Sequence, residues 1–181
     1  MVDRRVYKFI QMAPFSDKIV FLDTEFTTLD PYEGEIISIG LVTPEGKELY
    51  LELEYKGECS DWVKKNILQK LNGQKISREE ARRKIKEFIG NSKPFMISYV
   101  NSFDVIYFYK LMKGEEEAFF WLPIDFASIL FGHGIDPESY SNNNMEMARN
   151  LGVDVKKYVQ HNALDDAKLL RDVYFKFIKT T

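Results

Sequence analysis

The sequence has little cysteine, no long apolar run and no strong net charge. Cys59 is the single cysteine among 181 residues, which excludes an internal disulfide and a cysteine-rich zinc site. No apolar run approaches the roughly 18 residues of a membrane helix, and the N-terminus lacks the apolar core of a signal peptide. The formal net charge of -3 gives no global attraction toward a polyanion, so any nucleic-acid binding must be local. We therefore predict a soluble cytoplasmic protein with no membrane partner.

The composition favours one compact domain. Hydrophobic residues make up 45% of the chain and aromatic residues 14%, enough for one core in a chain of this length. Residues 1–17 are weakly patterned, whereas regular apolar periodicity begins at Lys18. We predict a single domain over residues 18–181, preceded by an N-terminal extension of uncertain role at residues 1–17.

Apolar periodicity predicts a mixed α/β chain that opens with three strands in a meander. The predicted strands are 18–26, 35–43, 47–54, 94–100 and 118–122. The predicted helices are 60–71, 77–89, 102–112, 123–131, 145–151 and 161–178. Residues 132–144 are rich in Gly, Pro, Ser and Asn and indicate a loop that could cover a site. His133 lies between two glycines of this loop, where we predict an exposed residue.

The first predicted strand is apolar on both faces and ends in two acids, Asp23 and Glu25. Because they are two residues apart, an extended backbone points both side chains the same way. Paired buried carboxylates repel each other and are costly unless a cation relieves them, so the pair suggests a divalent metal site. Alternatively, the two acids only end the strand where it meets solvent.

Two further acids lie on inward faces of predicted helices. Steps of three or four residues from Asp166 reach apolar residues, whereas the same steps from Asp165 reach a mostly polar face. Asp166 therefore points toward the core, and Asp165 is predicted to be solvated, in a local pair with Lys168. Asp104 shares a helix face with apolar side chains, although an acid in a first helical turn can also serve as a cap.

The two helices after residue 60 are strongly basic. A solvated helical surface and a phosphate-binding face both explain such a pattern, and the sequence leaves both open. The basic residues are Lys64, Lys65, Lys70, Lys75, Arg78, Arg82, Arg83, Lys84 and Lys86.

Three motifs together resemble those of the DEDDh 3′-to-5′ exonucleases. They are D-T-E-F at residues 23–26, F-D at 103–104 and H-N-A-L-D-D-A at 161–167, where His161 and Asp166 fit an H-x4-D pattern. The chain length and the stretches E-I-I-S-I-G-L-V and Y-V-N-S-F-D are similar to RNase T-like bacterial exoribonucleases. The resemblance implies a ribonuclease H-like fold, in which helices flank a five-stranded mixed sheet whose second strand is antiparallel to the others.

The resemblance also implies a two-metal hydrolysis of phosphodiesters with Mg²⁺ or Mn²⁺. Asp23 would bridge the two ions. Glu25 and Asp166 would complete one site, Asp104 would support the other, and His161 would act as the general base. The expected activity is removal of nucleotides from the 3′ end of single-stranded RNA. A DNA-directed proofreading exonuclease and a catalytically silent RNA-binding module are the alternatives.

Several aromatic residues are candidates for substrate contacts. Phe26 and Phe103 adjoin proposed catalytic acids and would stack on terminal bases, and Tyr32 and Trp62 are further candidates. For Trp62 we favour packing in the core. The backbone near Phe26 and Thr27 would receive the terminal 3′-hydroxyl, as the resemblance implies. It also implies a homodimer, in which the basic helices over residues 62–89 could hold upstream phosphates.

Overall fold

A computed structural model of the chain describes residues 13–141 and 145–180. Most of the predicted N-terminal extension, residues 1–12, lies outside the described residues, as do residues 142–144 of the predicted loop. The strands are β1 Ile19–Phe26, β2 Ile36–Val42, β3 Glu48–Leu53, β4 Lys75–Ile76, β5 Phe95–Ser98 and β6 Ile124–Asp125. The helices are α1 Asp61–Asn66, α2 Arg78–Ile89, α3 Asn101–Met112, α4 Phe126–Gly132, α5 Glu138–Ser141, α6 Glu146–Asn150 and α7 Ala163–Thr180.

The strands form one mixed sheet in the order β4-β3-β2-β1-β5-β6. β2 pairs antiparallel with β1 and with β3, whereas the pairings β3–β4, β1–β5 and β5–β6 are parallel. The predicted fold class, a mixed sheet with its second strand reversed and helices on both faces, is therefore confirmed. The sheet has six strands rather than the predicted five.

The strand predicted at residues 118–122 is wrong. A 3₁₀ turn occupies Glu116–Ala118, and the chain then crosses to β6, which begins at Ile124. Phe119 in this connection is 3% exposed and packs its ring edge-on against Phe108, which explains why the segment is apolar without being a strand. β4 and β6 have two residues each, too few for a period to show in the sequence.

Helices cover both faces of β1. Ile19 and Phe21 belong to the core cluster that includes α7, whereas Val20 and Leu22 belong to the cluster that includes α2 and α3. Each such fully buried side chain contributes about 1.5–3 kcal/mol. The alternation continues to the end of the strand, so Asp23 and Glu25 lie on the α7 face and Thr24 lies on the α3 face.

The predicted helix starts at Ser60 and Ser77 are confirmed by their caps. Each serine Oγ accepts a backbone hydrogen bond three residues on, Ser60 from Val63 and Ser77 from Glu80. The first of these helices ends earlier than predicted, at Asn66, and a 3₁₀ turn over Leu68–Lys70 follows. Within the part of the chain that the structure describes, no helix is long and apolar enough to cross a membrane.

Candidate active site

Four acids from three separate elements converge at the C-terminal end of β1. Asp23 and Glu25 end the strand, while Asp104 and Asp166 lie in the first turns of α3 and α7. Glu25 and Asp104 are only 7% and 6% exposed. The negative charges of Asp104, Asp166 and Glu25 all act on Asp23, so the structure brings the four predicted acids together.

Asp104 reaches this cluster from the opposite face of the sheet. Its Oδ1 accepts a hydrogen bond of 2.9 Å from the backbone N–H of Thr24 and one of 2.7 Å from the Thr24 hydroxyl. The pairing of β1 with β5 extends only from Ile19 to Phe21, so the strands are no longer paired at Thr24. The Asp104 carboxylate lies where β1 and β5 separate, and Thr24 fixes its position.

His161, Glu25 and Asp166 form a compact group within the cluster. One ligand atom from each residue lies within 4.8 Å of the other two. The backbone N–H of His161 donates a 2.7 Å hydrogen bond to Asp166 Oδ2, and His161 has a left-handed φ of 57°. α7 begins at Ala163, two residues later than the sequence indicates, so His161 lies in the loop that leads into the helix.

The loop before α7 is held by the first residues of the helix. Val159 N–H donates to Asp165 Oδ2 at 3.0 Å, and Asn162 N–H donates to the Val159 carbonyl at 3.1 Å. The prediction of a solvated Asp165 is wrong, because its side chain is 20% exposed and bonds the loop. Its pair with Lys168 is present, with 3.8 Å between Nζ and Oδ1.

Burial shifts the pKa of every acid in the cluster upward. It raises the pKa of Asp23 well above its usual range, and together with the charges of Asp166 and Asp104 it raises that of Glu25 to about 8. It raises the pKa of Asp104 to about 7 against the hydrogen bonds from Thr24. It likewise raises that of Asp166 to about 7 against the His161 N–H. The four carboxylates therefore need a positive charge nearby to be ionised together.

Lys70 is a residue near this cluster that the sequence did not single out. Its charge lowers the pKa of Glu25, Asp166 and His161, although burial is the largest influence on each. Its ammonium donates a hydrogen bond to the carbonyl oxygen of Gln160, next to His161. In the sequence Lys70 is one of nine basic residues between positions 64 and 86, and no local signal separates it from the others.

A cavity of about 450 Å³ opens beside Glu25 and His161. Trp62 forms part of its wall, is 52% exposed and packs edge-on against the His161 ring with centroids 4.9 Å apart. The predicted core packing of Trp62 is therefore wrong, because the short helix α1 buries Val63 instead. The remaining lining residues are Phe26, Thr28, Leu29, Ser60, Val63 and Ile67.

Of the other predicted substrate contacts, Phe26 lines the cavity, whereas Thr27, Tyr32 and Phe103 do not. Phe26 lines the cavity and stacks on Tyr107 at 4.3 Å, with Phe103 6.1 Å away on a nearly parallel plane. Thr27 is 1% exposed, and its N–H and carbonyl both bond within the chain, to Glu35 and Ser60. Tyr32 is 89% exposed and is not among the residues that line the cavity.

A second, smaller cavity of about 190 Å³ also adjoins the acids. Asp23, His161 and Asp166 line it together with Tyr99 and Tyr140. Both cavities therefore adjoin the acid cluster, and His161 lines each of them.

The basic residues of α2 are largely paired with acids. Arg83 donates a 2.6 Å hydrogen bond to Glu87, and Lys86 forms an ion pair with Glu115 at 2.8 Å. Arg78 pairs with Glu35, which directly precedes β2. The structure therefore favours an ion-paired, solvated surface for α2 over a phosphate-binding face. His133 is exposed, as predicted.

Residues 20–174 match the family model RNase T, which is described as an exonuclease. No curated protein matches the chain. The matched span includes the four converging acids and His161.

Proposed function

The chain belongs to the RNase T exonuclease family and is a hydrolytic nuclease, and we propose that it is a metal-dependent 3′-to-5′ exoribonuclease acting on single-stranded RNA. One observation carries the proposal. Ligand atoms of Glu25, His161 and Asp166 lie within 4.8 Å of one another, and Glu25 and His161 also line a cavity of about 450 Å³.

The residues of the cluster fit a pair of hard divalent cations. Carboxylate oxygens are the preferred ligands of Mg²⁺ and Mn²⁺, and the raised pKa values show how costly four ionised acids are without a cation. We propose that two such ions are held by Asp23, Glu25, Asp104 and Asp166. When bound, the ions supply charge stabilisation on the attacking and leaving oxygens of the phosphodiester.

We propose that His161 accepts the proton of the attacking water. Burial and the Lys70 charge lower the pKa of its imidazole, so the side chain is neutral and able to accept a proton at neutral pH. Asp166 holds the backbone of His161 by the 2.7 Å hydrogen bond. Attack on phosphorus then breaks its bond to the O3′ of the preceding nucleotide and releases a nucleoside 5′-monophosphate.

We propose that the larger cavity holds the terminal nucleotides, with Phe26, Trp62 and Phe103 as stacking surfaces. Thr27 would support this wall through its two backbone bonds, and the adjoining backbone would receive the 3′-hydroxyl. Trp62→Ala should raise KM for RNA about tenfold and change kcat less than threefold, since stacking contributes about 1–3 kcal/mol per base.

Steady-state kinetics on one short RNA would measure this effect. Phe131→Ala is the matched control, because Phe131 is an aromatic residue that is 76% exposed and lines neither cavity. Equal KM values for Trp62→Ala and the wild type would remove Trp62 from the substrate site.

The preference for RNA and the homodimer rest on the resemblance to RNase T-like enzymes. An apolar groove of about 490 Å³, along which Phe15 and Trp121 are 98% and 75% exposed, is the surface on which we would test a dimer contact. A DNA-directed exonuclease is the second candidate, because the same acids and histidine would serve either sugar.

The deciding experiment uses 5′-labelled single-stranded RNA and DNA of equal sequence, incubated with Mg²⁺, Mn²⁺ or a chelator. We expect a ladder of 3′-shortened RNA that disappears with the chelator. A ladder on DNA alone would favour the second candidate. If neither strand is cut with metals supplied, the chain is a binding module rather than an enzyme.

A further inference from the structure

The carbonyl oxygen of Gln160 is bonded by a side chain from a distant part of the chain. Lys70 Nζ donates this hydrogen bond from the end of the 3₁₀ turn that follows α1. The hydrogen bonds that the Val159, His161 and Asn162 amides donate go to residues of the loop itself and of α7. The Lys70 bond therefore joins the loop that carries His161 to the 3₁₀ turn after α1.

His161 needs such support because of its backbone conformation. A left-handed φ of 57° costs a residue other than glycine about 1 kcal/mol or more. Such a conformation persists when neighbouring contacts hold it. The peptide between Gln160 and His161 is held at both ends, since its carbonyl binds Lys70 and its N–H binds Asp166.

Lys70 is itself anchored to the sheet through the residues that follow it. Glu52 of β3 is 3% exposed, and its Oε1 accepts 2.9 Å hydrogen bonds from the backbone N–H groups of Asn72 and Gly73. A Cβ added to Gly73 would lie 3.1 Å from the Glu52 carboxylate, so the close approach favours glycine there. The segment after Lys70 is thus fixed against β3.

We propose that Lys70 is a positioning residue that holds His161 in place for proton transfer by binding the Gln160 carbonyl. The kinetic part of this proposal rests on the proposed nuclease function. The structural part does not, because it concerns the order of the loop over residues 159–162 in the protein alone.

The test compares Lys70→Met and Lys70→Arg with the wild type, with Lys65→Met as a matched control. Methionine keeps the length of the side chain and removes the donor, arginine restores a donor, and Lys65 is an exposed lysine of α1. Hydrogen exchange of the His161 and Asn162 amides is measured in metal-free protein, and kcat and KM are measured on single-stranded RNA with Mn²⁺.

For Lys70→Met we expect amide exchange about tenfold faster and kcat about tenfold lower, with KM within twofold of the wild type. Lys70→Arg should recover most of both effects, and Lys65→Met should show neither. Unchanged amide exchange in Lys70→Met would overturn the proposal. A raised KM at constant kcat would also overturn it, since Lys70 would then be a substrate contact. A wild type without nuclease activity would refute the proposed function, and amide exchange alone would then decide the role of Lys70.

Discussion

Asp166→Asn is expected to lower the rate of 3′-end shortening at least about a thousandfold. Removal of a single preorganised hydrogen-bond donor to a transition state lowers the rate about 10²–10³-fold. The expected loss is larger for Asp166, because this residue is both a proposed metal ligand and a support for the general base. Asparagine retains an oxygen that can accept the His161 N–H bond of 2.7 Å. The substitution therefore removes the charge and leaves the loop in place. Initial rates on 5′-labelled RNA with saturating Mn²⁺ measure the effect.

Asp165→Asn is the matched control for this substitution. It changes the adjacent residue in the same way and keeps an acceptor for the Val159 N–H. Because Asp165 faces the loop and Lys168 rather than the acid cluster, we expect a rate within about threefold of the wild type. An Asp166→Asn enzyme that kept more than about a tenth of the wild-type rate would contradict the proposed role of Asp166.

The parts of the site that the sequence predicted depend on short-range periodicity. Asp23 and Glu25 share a face because the period of a strand is two, and the buried β1 keeps that alternation to its end. Asp166 is distinguished from Asp165 by the helical period of α7. In both cases apolar neighbours within a few residues fix the direction of the side chain, so the sequence alone was sufficient.

The parts that the sequence missed depend on contacts between distant segments. Lys70 and Gln160 are 90 positions apart, and only the fold brings them together. The spacing of Trp62 fits an apolar helix face and therefore predicts burial. The helix α1 has only six residues, however, and buries Val63 instead. The helical pattern places Asp165 on a polar face and therefore predicts solvation. It does not show the path of the loop before α7, whose Val159 N–H bonds Asp165.

Without divalent cations, the protein is expected to lose stability as the pH rises. The folded-state pKa is about 8 for Glu25 and about 7 for Asp104 and Asp166, well above their ordinary values of 4.5 and 3.8. Between the ordinary pKa and the folded-state pKa, each carboxyl keeps its proton in the folded state and loses it in the unfolded state. The stabilisation that is present at low pH is therefore lost as the pH rises through the folded-state pKa values. We expect the free energy of unfolding to be at least about 2 kcal/mol lower at about pH 8.5 than at about pH 5.5, since a single carboxyl with a folded-state pKa of about 7 contributes that much over this interval.

Urea unfolding in the presence of a chelator at the two pH values measures this difference. The variant Glu25→Gln shows how much of the pH dependence comes from the acid cluster. Glutamine cannot ionise, so the variant should lose less stability than the wild type over the same interval. Mg²⁺ or Mn²⁺ at about a hundred times its Kd should restore about 2.7 kcal/mol to the wild type at the higher pH. Metal-free protein that is more stable at the higher pH would contradict the raised pKa values. A divalent cation without effect on unfolding there would contradict the proposed metal ligands, since ions held by Asp23, Glu25, Asp104 and Asp166 must favour the folded chain that assembles them.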